Sequence, residues 1–257
     1  MELFGFVSCI FSRGIIMNRH WKIDASKILT RGEITTVLAD LNRRSNRSVN
    51  SRMNLIIFRL ATCCGLRSSE ISGLKLHDVK SGIERPYLYL PKTITKGKKT
   101  RQVPLWWDTG TLKDLSIWKA ERKQQGANHD DYFVCALSKP AFGKQLSKFN
   151  LRHRFQVACR ALGKDRLFIG QDETKTGRKY NKQLTIHHGR HSFCSHALTG
   201  GRTLAEVRDA AGHSDISITS VYTHVVIDGD EPGDIFDFNK KQRNYQPKEP
   251  FFTVFQF

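Results

Sequence analysis

Acidic residues are scarce in this sequence. Asp and Glu number 24 against 42 Lys and Arg, a formal net charge of +18 over 257 residues. Solubility alone needs far less, and such an excess points to a polyanionic partner, nucleic acid before membrane surface. The shortage is local. Residues 228–257 hold six acids and four bases, net −2, which leaves residues 1–227 with 38 bases and 18 acids, net +20. Paired cysteines are also lacking: none of the six forms a CxxC motif. Cys63, Cys159 and Cys194 fall in apolar helical patterns, so buried free thiols in a reducing cytoplasm are expected. No apolar run approaches 18 residues, which excludes a predicted membrane-spanning helix. The N-terminal MELFGFVSCIFSRGIIM has no basic leader and no clean apolar core, and Arg13 interrupts it, so it is not read as a secretion signal. Met17 is an alternative start. Repeats and low-complexity tracts are absent, and the length fits one large domain or two small ones.

What is present reads as an α+β chain, mostly helical with a small antiparallel β-hairpin. Residues 1–27 show no periodicity and are expected to be a poorly ordered arm. Thr30 with Glu33 makes a capping box ahead of a helix over Glu33–Asn42, with Ile34, Val37, Leu38 and Leu41 on one face. Residues 50–64 are apolar nearly all round, as befits a central core helix, and Gly65 ends it. Arg67 follows directly, at a helix junction where an unpaired charge is costly unless an anion meets it; Glu70 is a candidate partner. Tyr87–Leu90 and residues 100–105 read as strands, with KTITK (92–96) as alternating strand sequence between them. The resulting hairpin would carry Lys96, Lys98, Lys99 and Arg101 near its tip, suited to a phosphate backbone. Further helices are expected over 110–125 and 147–162, a short buried strand over Tyr132–Leu137, and a long polar loop over 164–183.

The C-terminal part holds helices from about His188 to Leu198 and from Leu204 to Ala211, the second closed by Gly212. A third, capped by Ser214, would carry Tyr222. His187 and Arg190 lie three apart and share a helical face. His187 and His191, four apart, have the spacing of a metal pair, yet neither an HExxH glutamate nor a third ligand accompanies them. Breaking a phosphodiester calls for a nucleophile, charge neutralisation at phosphorus and a proton for the leaving oxygen. A tyrosine, arginines, a lysine and histidines supply these groups.

Together ATCCGLRSSEISGLKLHDV, ITKGKKTRQVPL, IHHGRHSF and AAGHSDISITSVYTHV resemble the catalytic domain of the tyrosine recombinases, the phage-integrase and Xer-type family. The resemblance spans roughly residues 30–226 and implies the DNA breaking–rejoining fold. It implies Tyr222 as the nucleophile of a 3′-phosphotyrosyl link and Arg67 and Arg190 as phosphate clamps. His187 would be a general base or hydrogen-bond donor, and His213 a second phosphate contact near the tyrosine. Lys96 would be the general acid, with Lys98 the alternative, and Glu70 a support of the first arginine. Lys98, Lys99 and Arg101 would bind DNA. The implied partner is double-stranded DNA, with a homotetramer on DNA for recombination, no metal, no other cofactor and no membrane, in the cytoplasm at the nucleoid. The expected division is an arm over 1–27, a catalytic domain over 28–226, and a tail over 227–257 able to dock on a neighbouring protomer. Only 66 residues precede Arg67, so the separate N-terminal DNA clamp usual in the family is expected to be missing. A topoisomerase-like relaxing enzyme and a truncated, non-catalytic DNA-binding remnant are the alternatives.

Overall fold

A computed structural model describes residues 23–173, 177 and 179–223. The tail over 227–257, Cys9 and most of the expected arm lie outside the described residues. At the end of the expected arm, Ala25–Lys27 form a 3-10 turn capped by Asp24.

Helix α1 (Arg31–Ser45) starts at the predicted capping box, with Thr30 Oγ1 accepting from Glu33 N and Glu33 accepting from Thr30 N. It packs on α2 (Val49–Thr62), in which every residue from Met53 to Thr62 is buried. That all-round burial is what an uninterrupted apolar sequence imposes. Helix α2 is the axis of the molecule and touches α3 (Ser68–Gly73), α4 (Thr109–Gln124), α5 (Lys148–Cys159) and α7 (Ile186–Thr199). The short α6 spans Gly163–Leu167, and α8 (Leu204–Ala211) and α9 (Ile216–Ser220) follow α7. The main core is built on α2. A smaller apolar cluster joins Trp107, Phe193, Cys194, Val207 and Tyr222 beneath α7 and α8. Cys63, Cys64, Cys135, Cys159 and Cys194 are buried free thiols. No described helix is long and apolar enough to cross a membrane.

Several sequence expectations need correction. The first sheet has three antiparallel strands in the order β1 (Val79–Lys80), β2 (Tyr87–Leu90), β3 (Arg101–Pro104). Leu90 pairs with Arg101, so KTITK is not a strand. Ile94 turns onto Gly73 of α3, where any Cβ would sit 2.5 Å from Ile94 Cγ2. Thr95 Oγ1 donates to the Lys99 carbonyl at 2.8 Å and folds the segment on itself. Where a loop is expected over 164–183, β4 (Phe168–Glu173) and β5 (Lys179–Gln183) pair antiparallel. Their pairing slips between Phe168 and Gly170, where Gly170 adopts φ 136°. A hairpin with so few apolar residues carries no period-two signal. Tyr132–Leu137 makes only isolated bridges, Lys75 with Tyr132 and Cys135 with Gln145. Finally, Asp215 rather than Ser214 caps α9, and Tyr222 stands in the turn beyond it, its N–H donating to the Thr219 carbonyl at 3.1 Å.

Candidate active site

The site begins where α2 ends. Gly65 takes φ 63°, a left-handed conformation that costs an L-residue about 1–2 kcal/mol. A Cβ there would lie 2.4 Å from Phe193 Cδ1 of α7, so glycine is required twice over. The turn delivers Arg67 to the start of α3. Glu70, fully buried, accepts from Arg67 N at 2.7 Å and from Arg67 Nη1 at 3.1 Å. Arg101, from β3, closes on the same carboxylate in a fork, Nη1 to Oε1 at 2.6 Å and Nη2 to Oε2 at 2.8 Å. Burial alone would raise the Glu70 carboxyl. The bonds and charge of Arg101, with the Arg67 N–H, outweigh it, and the carboxyl is held below its ordinary range.

Helix α7 supplies the second arginine. Its start is capped by the His188 side chain, whose Nδ1 accepts from Thr185 N at 3.0 Å. Gly189 lets α7 lie close on α2: a Cβ would come within 3.0 Å of Thr62 Cγ2. Arg190, only 2% exposed, donates through Nη1 to the Gly65 carbonyl at 2.6 Å and through Nη2 to the Ala211 carbonyl. Burial pushes its guanidinium down to about 10, still charged near neutral pH. Each of Arg67 and Arg190 spends two of its five N–H donors on these bonds, and the others remain for an anion.

Gly212 ends α8 in the left-handed conformation, and its carbonyl accepts from Arg67 Nη2 at 3.1 Å. His213 follows at once. Its Nδ1 lies 2.9 Å from Thr219 Oγ1, and its ring stacks on Tyr222 at 6.3 Å with planes 5° apart. Tyr222 is 5% exposed, and burial lifts its phenol well above the ordinary tyrosine value. The hydroxyl is hydrogen-bonded to His191 Nδ1 at 2.6 Å. Burial, then the charges of Arg190, Arg67 and Arg101, push His213 down to about 3. His187 is lowered by the same causes, burial first, with Arg190 and Arg67 adding to it. Its ring stands edge-on to His191 at 4.3 Å.

The structure thus gathers Arg67, Glu70, Arg190, His213 and Tyr222 into one contact network, with His187 at its rim. Lys96, Lys98 and Lys99 are exposed on the connection between β2 and β3, and no described contact ties them to the guanidiniums. Arg101 departs from its expected place on a basic tip. Its side chain is 9% exposed and is spent on Glu70 and on the Ala210 carbonyl. Two signals were missed. The Arg101–Glu70 fork joins residues 31 apart and no local pattern announces it. His191 stood in the sequence only as half of a metal spacing, whereas the fold turns it to the phenol. Among the described residues no group of three or more His, Cys, Asp or Glu is placed to hold a metal ion.

Comparison with known proteins shows the family and the fold. The sequence profile of the phage integrase family matches residues 27–227. Tyrosine recombinase XerC of Pseudomonas savastanoi pv. phaseolicola is 31% identical over 171 residues, covering 66% of this chain and 47% of the relative. Tyrosine recombinase XerD of Staphylococcus saprophyticus is 32% identical over 193 residues, covering 75% and 57%. The chain spans about half the length of the curated relatives it matches. Among solved structures, XerA recombinase superposes with a TM-score of 0.58 at 18% identity, over 77% of this chain and 60% of that one. XerH site-specific recombinase bound to difH substrate, in a pre-cleavage complex, gives 0.58 at 21% identity, over 79% and 51%. At such identities the likeness speaks for the fold, that of the tyrosine recombinase catalytic domain. The chain belongs to the phage integrase family.

Proposed function

We propose that this chain is a site-specific DNA recombinase that cleaves and rejoins double-stranded DNA through a covalent 3′-phosphotyrosyl link to Tyr222. One observation carries the reading: a largely buried excess of cations meets beside the Tyr222 phenol. Arg67, Arg101 and Arg190 stand against the single carboxylate of Glu70, with side chains of Arg101 and Glu70 9% and 0% exposed. Charge of one sign is not left buried without compensation, and a phosphodiester between Arg67 and Arg190 would provide it. The relatives named as tyrosine recombinases support the same substrate class.

In this reading the Tyr222 hydroxyl oxygen attacks phosphorus as Arg67 and Arg190 hold the non-bridging oxygens. Lys96 gives its proton to the departing 5′ oxygen, with Lys98 the alternative donor on the same segment. His187 and His213 donate hydrogen bonds to the phosphate, and Glu70 with Arg101 fixes Arg67. The guanidiniums supply the charge neutralisation, so neither metal nor ATP is required. Recombination would further require a tetramer on DNA. Lys98 and Lys99 would steady the backbone beside the cut.

The test is capture of the covalent intermediate. The full chain is incubated with fragmented genomic DNA of its source in EDTA and without ATP, denatured in detergent, and the DNA carried with protein is sequenced. Recovery of one recurrent site, attached at a 3′ end, is the expected result. Tyr222→Phe should form no adduct. Equal adduct from Tyr222→Phe would show that another residue is the nucleophile, and relaxation of plasmid without pairing of two sites would favour a topoisomerase.

A further inference from the structure

The phenol of Tyr222 carries a proton that has to leave as its oxygen bonds to phosphorus. We propose that His191 takes that proton; this rests on the reading of Tyr222 as the nucleophile. The contact is direct, Nδ1 to hydroxyl at 2.6 Å between two largely enclosed side chains. Rings 5.7 Å apart and tilted by 41° leave the imidazole edge aimed at the oxygen.

His213, and the histidines of α7 other than His191, have contacts of their own. His213 meets Tyr222 face to face, and its Nδ1 is bonded to Thr219. His188 is turned to the backbone of Thr185. His196 is bonded to the Leu29 carbonyl through Nε2. His187 touches the ring of His191 and is itself exposed. The Cys194 thiol does reach Tyr222, but burial pushes it up to about 11, so it keeps its own proton.

The surroundings keep the ring neutral, and a bound phosphate is what makes it basic enough to hold the proton. Burial first, then the charges of His187, His188, Arg190 and Lys27, push His191 down to about 3. The ring is therefore neutral near pH 7, and the lone pair of Nδ1 is available to the phenolic O–H. Negative charge on a phosphodiester held by the guanidiniums opposes those same cations and raises the basicity of the ring as the proton moves. The step balances. The bond from tyrosine oxygen to phosphorus forms, the bond from phosphorus to the 5′ oxygen breaks, the phenolic proton goes to His191 Nδ1, and Lys96 protonates the 5′ oxygen. Rejoining reverses each transfer, and the proton returns from His191 to Tyr222.

The test has two arms on the full chain. In DNA-free protein labelled with nitrogen-15 histidine, Tyr222→Phe should shift the Nδ1 resonance that His191→Asn removes. An unmoved His191 resonance overturns the proposal whatever DNA does. In the second arm, cleavage is timed on the DNA site captured by the wild type, once with an ordinary phosphodiester and once with a 5′-bridging phosphorothiolate, whose thiolate leaves without a proton. Asparagine keeps a hydrogen-bond acceptor but takes up no proton. His191→Asn should slow cleavage about 10²–10⁴-fold on both substrates, whereas Lys96→Ala should recover on the phosphorothiolate. A His191→Asn enzyme cleaving near the wild-type rate refutes the proton role. Thermal melting verifies the variant, and His191→Gln replaces it if it fails to fold. The wild-type control separates the failures. Without a wild-type adduct the assignment of Tyr222 falls and this proposal with it; with one, an unaffected His191→Asn overturns this proposal alone.

Discussion

Replacing Arg101 with alanine probes the electrostatics of the pocket where the fold depends on them most. The Glu70 carboxylate is fully buried and takes two donors from Arg67 and two from Arg101. Arg101→Ala removes the forked half and leaves a desolvated charge hydrogen-bonded to Arg67 alone. Breaking a buried pair from one side costs about 3–5 kcal/mol. In a domain of this size each kcal/mol shifts Tm by about 2–4 °C, so a fall of about 6–20 °C is expected. The pH dependence adds a signature. In the wild type, Arg101 and the Arg67 N–H overcome burial and hold the Glu70 carboxyl below its ordinary value. Its contribution to stability is present above the unfolded value of about 4.3 and is lost as pH falls through the folded one. In Arg101→Ala burial dominates and the folded value lies above the unfolded one. The contribution then reverses: it is present below about 4.3 and lost as pH rises through the raised value. Urea titrations between about pH 4 and 7 on wild type, Glu70→Gln, Arg101→Ala and the double variant isolate Glu70 by difference. The two differences should slope in opposite directions. A cost under about 1 kcal/mol, or slopes of the same sign, would refute the claim that Arg101 holds Glu70 ionised.

Gly65→Ala should destabilise the chain by about 2–4 kcal/mol, combining left-handed strain with the clash on Phe193, and Phe193→Leu should recover part of that loss in a thermal melt. Trp118 is fully buried and donates Nε1–H to the Phe133 carbonyl at 2.7 Å. Trp118→Phe leaves that carbonyl unsatisfied and should cost about 1–3 kcal/mol by urea denaturation. Lys98→Ala and Lys99→Ala should weaken DNA binding equally across sequences and lower the slope of log affinity against log salt by about 0.9 each, read by fluorescence anisotropy; an unchanged slope would remove these lysines from the interface.

The helices were legible because their signals are local. The Thr30–Glu33 box, the apolar run of α2 and the glycine closing α8 each act within a few residues, and the structure starts or stops a helix at each. The β4–β5 hairpin was missed because its strands are largely exposed and polar, so nothing forced alternation into the sequence. KTITK misled for the opposite reason. It alternates, yet Ile94 is drawn onto the bare backbone of Gly73, a tertiary contact stronger than strand propensity. The residues Arg67, Arg190, His213 and Tyr222 were nameable by resemblance. That Arg101 belongs with Glu70, and His191 with Tyr222, follows from pairings across 31 residues in each case, which only the fold creates.

The end of α8 explains why these distant residues converge. A helix C-terminus leaves its last carbonyls without intrahelical donors and carries roughly half a negative charge. Here three successive carbonyls each accept from a different arginine: Ala210 from Arg101, Ala211 from Arg190, and Gly212 from Arg67. The helix end therefore fixes the spacing of the three guanidiniums and offsets part of their mutual repulsion. It serves as a template that β3, α7 and the α2–α3 turn all meet. Gly212 makes the template possible. Its left-handed turn opens the last carbonyl to Arg67, and a Cβ there would lie 2.8 Å from Arg101 Cδ. The next residue is His213, and its ring carries Tyr222 by stacking. One helix end thus holds the arginine cluster and, a single residue later, begins the segment that brings the phenol to it. The geometry of the proposed site and local stability are in this way the same set of bonds, so substitutions at Arg101 or Gly212 should disturb both together.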